Sequence, residues 1–205
     1  MDILNQIAHF FGDFSLEMTL AAIIICGMTG ATVVLKLNRR YFLEATLLLL
    51  FAIIFNKALK YTFKIPLPEH LGSSSYALPS GHMHSVFVFY GWLAYRYKSR
   101  ILTAVTAVLM LGVAFELLYF NYHTLIDILA ALFFGSLVLL GFNWVQKKYY
   151  ADITPITMVL TSLLMIYIYF VNHHVLIGEI WGSYILANAC AFILHKRSTS
   201  TKNFK

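Results

Sequence analysis

The sequence predicts an all-α fold, a polytopic transmembrane helical bundle of six or seven helices. Three observations predict it. Of 205 residues, 60% are hydrophobic and only 12% are charged. The mean hydropathy is +0.75. The apolar residues fall in long runs, with Lys and Arg in short clusters between them. A soluble domain carries about 25% charged residues and has no way to bury such an apolar excess, so lipid must solvate much of this chain. The same composition excludes a disordered chain, a coiled coil, a collagen and a disulfide-stapled secreted domain.

The elements follow in order. Met1 to Phe14 carries Asp2 and Asp13 but no Lys or Arg, so it lacks the basic start of a secretory signal. Ile3, Leu4, Ile7, Phe10 and Phe11 stand at helical spacing, which predicts a short helix at the membrane interface. Seven apolar segments come next: Leu16–Leu35, Tyr41–Leu59, His82–Tyr97, Ile101–Phe120, Thr124–Trp144, Ile156–Val171 and Leu176–Leu194. Most approach the ~20 residues that cross a bilayer core of about 30 Å. Only Asn172, His173 and His174 separate the last two. Residues 1–195 therefore form a single integral-membrane domain, and 196–205 form a short basic tail.

The net charge is +6, but the basic residues form no stripe, so they serve as loop charges of a membrane protein and not as a nucleic-acid surface. Twelve Lys and Arg fall on one side of the predicted crossings, and only Lys57, Lys60 and Lys64 fall on the other. The positive-inside rule then places the C-terminus in the cytoplasm and the N-terminus outside, which seven crossings satisfy. A compact chain of this kind suggests a bacterial inner membrane. Cys26 and Cys190 both lie in apolar runs, which argues against a disulfide framework.

The connection between Leu59 and His82 is the longest, lies on the outer side, and holds Pro66, Pro68, Gly72, the run Ser73-Ser74-Ser75, Pro79 and Gly81. Long connections in compact helical domains are usually functional. The helix after it spans only ~24 Å at 1.5 Å per residue, so its start is expected at lipid-headgroup depth.

Three outer-side patches carry chemistry. In Pro79-Ser80-Gly81-His82, Ser80 is placed to cap the helix, Gly81 permits close approach to the backbone, and the helix start offers an anion site beside a titratable His82. In His123-Thr124-Leu125-Ile126-Asp127, His123 and Asp127 are four apart and share a helix face. Two readings stand there. Either the carboxylate orients a nucleophilic imidazole, or the pair is a structural bond capping helices. The third patch runs from Lys60 to Pro68, where Lys60 either neutralises an anionic headgroup or snorkels at a helix end. A cation, an anion site with one His and an oriented second His together describe phosphoryl transfer through a phosphohistidine.

These residues resemble the PAP2 family, the type 2 phosphatidic acid phosphatases related to vanadium haloperoxidases. That family carries the motifs K-x6-R-P, P-S-G-H and S-R-x5-H-x3-D. The second is intact here. In the first, Lys60 and Pro68 match but Leu67 holds the arginine position. In the third, His123 and Asp127 match but Glu116-Leu117 replaces Ser-Arg. The resemblance covers roughly Lys60 to Asp127. It implies a PAP2-like bundle with His123 as nucleophile, Asp127 as its orienter and His82 as proton donor. Lys60, Ser80 and Gly81 would hold phosphate, and Lys64 is a candidate for a further charge.

The implied mechanism needs no metal or other cofactor. His82-Met83-His84 and His173-His174 offer no third metal ligand at sensible spacing. The expected activity is hydrolysis of a lipid phosphate or pyrophosphate outside the membrane, with membrane lipids as the surroundings and no nucleic-acid partner. The alternatives are a headgroup-exchanging phosphotransferase similar to the sphingolipid synthases, and a non-catalytic lipid-binding protein. In the former, Glu116 would face a cationic headgroup.

Overall fold

In lipid no water satisfies an exposed amide, so a spanning chain closes its backbone hydrogen bonds within helices. The computed structural model describes residues 3–13, 39–71, 75–149, 153–172 and 178–202, and every long element among them is helical. The elements are α1 (Ile3–Asp13), α2 (Arg39–Phe63), α3 (Gly81–Tyr97), α4 (Arg100–Tyr119), α5 (Leu125–Tyr149), α6 (Ile153–Val171) and α7 (Gly178–Lys202). The expected crossing Leu16–Leu35, with Cys26 inside it, lies outside the described residues, as do Gly72 to Ser74 and His173-His174.

Among the described residues, four stretches are long and apolar enough to cross a membrane: Arg40–Phe63, Arg100–Tyr119, Leu125–Lys148 and Thr154–Val171. The apolar part of α7, Ile180–His195, is shorter. The chain is an all-α integral membrane protein. Helix bounds differ from the expected ones mostly by a turn or less at each end. Two differences are larger. Helix α5 runs on through Lys147 and Lys148 to Tyr149, and α7 continues to Lys202, so most of the segment that reads as a tail is helical. Both extensions are polar, and apolar periodicity says nothing about where a polar helix stops.

Helix α2 is the centre of the bundle. Two thirds of its apolar window is buried inside the protein, 67% against 28% for each of the other three. It packs against α3, α6 and α7, and α3 in turn packs against α4 and α5. Leu47 to Leu50 of α2 meet Val88, Phe89 and Trp92 of α3 and Ala187 and Ala191 of α7. Ile54 and Ala58 meet Met165 and Ile168 of α6. A separate cluster joins Met83 and Val86 of α3 to Val113 and Leu117 of α4 and Ile128 and Ala131 of α5. Ile101, Leu111, Ile126, Phe170 and Phe192 stay exposed, which marks the lipid-facing sides of the outer helices. One glycine matters to the packing. A Cβ on Gly135 of α5 would stand 2.6 Å from the Phe87 ring, so glycine there lets α5 approach α3 beside His84.

The predicted cytoplasmic end of α2, α3 and α5 is tied by charge. Glu44 is almost fully buried and meets Arg40 at 3.0 Å and Arg96 at 3.3 Å. Gln146 donates to Glu44 at 3.2 Å and accepts from Arg96 at 3.3 Å. The Arg96 guanidinium also lies 4.2 Å from the Tyr41 ring centre. Arg96 is 23% exposed and Arg40 70% exposed, and this sets their weights. Breaking a buried ion pair costs about 3–5 kcal/mol, whereas an exposed pair contributes about 0–1 kcal/mol. Arg96→Ala is therefore expected to lower the thermal midpoint of the detergent-solubilised protein clearly, and Arg40→Ala hardly at all. Equal effects would show that burial does not set the weight of the two pairs.

Candidate active site

The site forms at the other end of the same helices. A cavity of about 220 Å³ opens where the last turns of α2, the first turn of α3 and the α4–α5 turn converge. Lys57 and Lys60 line it from α2, Gly81, His82 and Ser85 from α3, and His123 from the turn. A larger groove of about 360 Å³ lies between α2, α5 and α6, but Leu48, Phe51, Phe55, Phe142 and Trp144 make it apolar, and no titratable side chain lines it. Of these two, the smaller cavity is the one lined by titratable side chains.

The start of α3 is fixed from two directions. The Ser80 amide donates to the Asp127 carbonyl at 3.1 Å, which joins the second motif to the third. Asn56 of α2 donates to the Pro79 carbonyl at 3.3 Å and lies 3.2 Å from His84 Nδ1. Ser80 stands at the N-cap with extended dihedrals, but its hydroxyl makes no capping bond and is buried without a partner. The expected cap is thus not formed: the Ser80 hydroxyl accepts no bond from the first-turn amides of α3, and only the Ser80 carbonyl accepts one, from the His84 amide at 3.1 Å. Gly81 comes close to Asn56, whose Oδ1 would lie 3.6 Å from a Cβ there.

His123 enters through a sharp turn. Helix α4 ends at Tyr119, Asn121 takes a φ of 53°, and the amides of Tyr122 and His123 both donate to the Leu117 carbonyl. His123 Nδ1 faces Asp127 Oδ2 at 3.5 Å, which leaves Nε2 as the ring nitrogen not turned toward the carboxylate. The same Oδ2 accepts from the Thr124 amide at 2.8 Å and from the Thr124 hydroxyl at 2.9 Å, while the Asp127 amide donates to Thr124 Oγ1 at 3.3 Å. Thr124 and Asp127 thus form a reciprocal cap at the start of α5. Asp127 therefore caps the start of α5 through Thr124 and also faces the imidazole. Burial, followed by the positive charge of Lys60, pushes the His123 imidazole down from 6.5 to about 4. Asp127 opposes this only in part, and His82 adds to it. His123 is neutral at pH 7.

Of the residues singled out in the sequence, Lys60, Gly81, His82 and His123 line one cavity. Asp127 stands behind His123 and Ser80 is fully buried beneath the α3 start, neither on the lining. Lys64 is not brought in. The chain turns at Lys64, with a φ of 52° as α2 ends, and the residue is exposed and off the cavity lining. Leu67 does line the cavity, held over it by the Leu67 amide to the Ser75 carbonyl and the Ala77 amide to the Ile65 carbonyl, at 3.2 and 2.7 Å. Leu117 is instead packed in the α3–α4–α5 core. Glu116 is buried on α4 and off the lining.

Lys57, Asn56 and Ser85 are lining residues that the motifs do not mark. The only signal for Lys57 and Asn56 was helical phase, since they lie three and four residues before Lys60. The Thr124-x-x-Asp127 cap was visible as a sequence pattern. Among the described residues no three His, Cys, Asp or Glu side chains gather to hold a metal.

This arrangement presents two ammonium groups, a helix start, an exposed imidazole and a neutral buried imidazole to one small volume, with no carboxylate on the lining. It suits an anion that is attacked by one histidine and protonated by the other. Comparison with curated proteins finds no match, and comparison with solved structures finds none. The family model of the PAP2 superfamily matches residues 41–151, from the start of α2 through α5, and therefore spans each element that lines the cavity. The chain belongs to the PAP2 superfamily.

Proposed function

We propose that this protein is a membrane lipid phosphatase that hydrolyses a lipid phosphate or pyrophosphate on the extracytoplasmic face. The observation that carries this reading is the convergence of Lys60, the α3 start, His82 and His123 on one cavity at the end of the bundle. His123 Nε2 attacks phosphorus and the phosphorus–oxygen bond to the lipid breaks. His82 gives a proton to the departing oxygen. Water then attacks the phosphohistidine, releases inorganic phosphate and restores the neutral imidazole. Lys60 and the amides of the α3 first turn stabilise the phosphoryl oxygens as charge develops. Asp127 faces Nδ1 and favours the tautomer whose Nε2 is free to attack.

A cationic headgroup fits this cavity poorly. It would meet two lysines, and Glu116, the residue expected to greet it, does not line the site. That favours phosphate and pyrophosphate esters over choline-type headgroup exchange.

The reading has three tests. His123→Ala is expected to cut phosphate release from a panel of lipid phosphates by at least about 10³-fold. His82→Ala should cost about 10²–10⁴-fold, least with a good leaving group. Wild-type release from the His123 variant would remove the phosphohistidine.

The second test is pH. The reactive form of His123 is neutral, and its proton is held only below about 4. Between pH 7 and 5 an ordinary histidine would charge, but this one stays neutral. The acid limb of kcat/KM due to His123 should therefore fall near pH 4 and not near 6.5. Lys60→Met removes a charge that holds this value down, so the limb should move to higher pH. A limb that stays fixed would separate Lys60 from His123.

The third test is sidedness. In a cysteine-free background, Ser75→Cys should react with a membrane-impermeant thiol reagent applied from outside, and Ser99→Cys should not. The reverse pattern would put the site in the cytoplasm.

A further inference from the structure

Lys57 has no place in the family's motifs, yet it lines the cavity with Lys60. The two are three residues apart on α2, so they share a face and differ by about 4.5 Å in height at 1.5 Å per residue. Lys57 sits one turn nearer the bilayer interior, inside a stretch apolar enough to span a membrane. A cation costs free energy at such depth, and intramembrane charges usually face a polar cavity with a function.

The family's two clamping arginines are absent, and their positions have different fates. Leu67 stays over the cavity, while Leu117 has left for the apolar core. A transferring phosphoryl group still needs its oxygens held by positive donors set in advance. Lys64, the other candidate for a second charge, is exposed and off the lining. Lys57 is the second ammonium that the cavity contains.

We propose that Lys57 is a phosphate-binding residue of this chain, and that Lys57 and Lys60 together hold the anion that the motif arginines would otherwise clamp. The inference rests on the phosphate reading of the site and names the residue that completes it. Lysine supplies point charge and three rotatable donors where arginine supplies a planar fork, so charge is replaced and bidentate geometry is not.

The experiment reads binding apart from turnover. Inorganic phosphate is added to the purified protein at ionic strength matched with chloride, and the thermal midpoint is followed. A ligand that binds only the folded state raises the midpoint with its concentration. The wild type is expected to gain stability with phosphate. Lys57→Met, which keeps the chain length and removes the charge, should lose most of that gain, and Lys57→Arg should regain part of it. In lipid-phosphate turnover, Lys57→Met should lower kcat/KM by about 10²–10³-fold. That loss should exceed the loss from Lys64→Met.

A Lys57→Met protein that keeps the wild-type phosphate response overturns the proposal, whatever its activity. So does a loss of turnover that Lys57→Arg does not restore at all, since the residue would then act on packing. If the wild type releases no phosphate from any lipid yet its midpoint responds to phosphate through Lys57, the enzyme reading fails and the binding residue stands.

Discussion

One hydrogen bond holds the site in register: the Ser80 amide to the Asp127 carbonyl, at 3.1 Å. It joins the start of α3 to the start of α5. Asn56 adds the second restraint by holding the Pro79 carbonyl from α2. Three helices are thereby tied to one another by one backbone–backbone bond and one bond from a side-chain amide to a backbone carbonyl. At the edge of a bilayer such groups have few other partners, so each bond is costly to leave unmade. The consequence for chemistry is preorganisation. His82 on α3 and His123 just before α5 cannot drift apart without breaking a buried backbone bond. The Ser80 hydroxyl makes no capping bond, so that side chain leaves the first-turn amides of α3 unengaged.

The same economy governs Asp127. Its Oδ2 accepts two bonds from Thr124 and also faces His123 Nδ1. Its negative charge raises the imidazole's hold on a proton only in part. Burial and the charge of Lys60 therefore win over Asp127, and His123 remains neutral. In the proposed reaction this is the useful outcome, because an imidazolium has no lone pair to give. When phosphorus bonds to Nε2 the ring becomes positive, and only then does the nearby carboxylate act at full strength. The interaction grows along the reaction coordinate, which is what accelerates a step.

Most of the fold was legible because lipid enforces it. Long apolar runs separated by Lys and Arg leave little freedom, and helix bounds differed chiefly where polar residues extend α5 and α7. The intact Pro79-Ser80-Gly81-His82 run and the His123–Asp127 spacing pointed to the cavity that the structure forms. What was not legible depends on rotation and on turns. Lys60 and Lys64 look equivalent in sequence, one helical turn apart. A left-handed φ at Lys64 ends that equivalence, and helical phase brings Lys57 in from the other side. Glu116 and Leu117 read together as the altered Ser-Arg pair of the third motif. In the fold the first is buried on α4 and the second serves the α3–α4–α5 core.

The two leucines also alter the electrostatics of what remains. An arginine at position 67 would bring a hydrated guanidinium to the cavity mouth. Leu67 instead adds an apolar group to the lining that holds the two lysines and both histidines. Charge interactions strengthen as water is excluded, by several-fold between bulk water and a partly buried site. Fewer donors in a drier cavity can thus hold an anion that more donors hold in a wet one. The cost falls on geometry. Two ammonium groups on flexible stems fix the phosphoryl oxygens less rigidly than a bidentate fork does. On this account, a chain that trades arginines for Leu67 and Leu117 and carries Lys57 keeps the attraction for phosphate. It loses part of the orientation, and orientation bears on kcat more than on affinity.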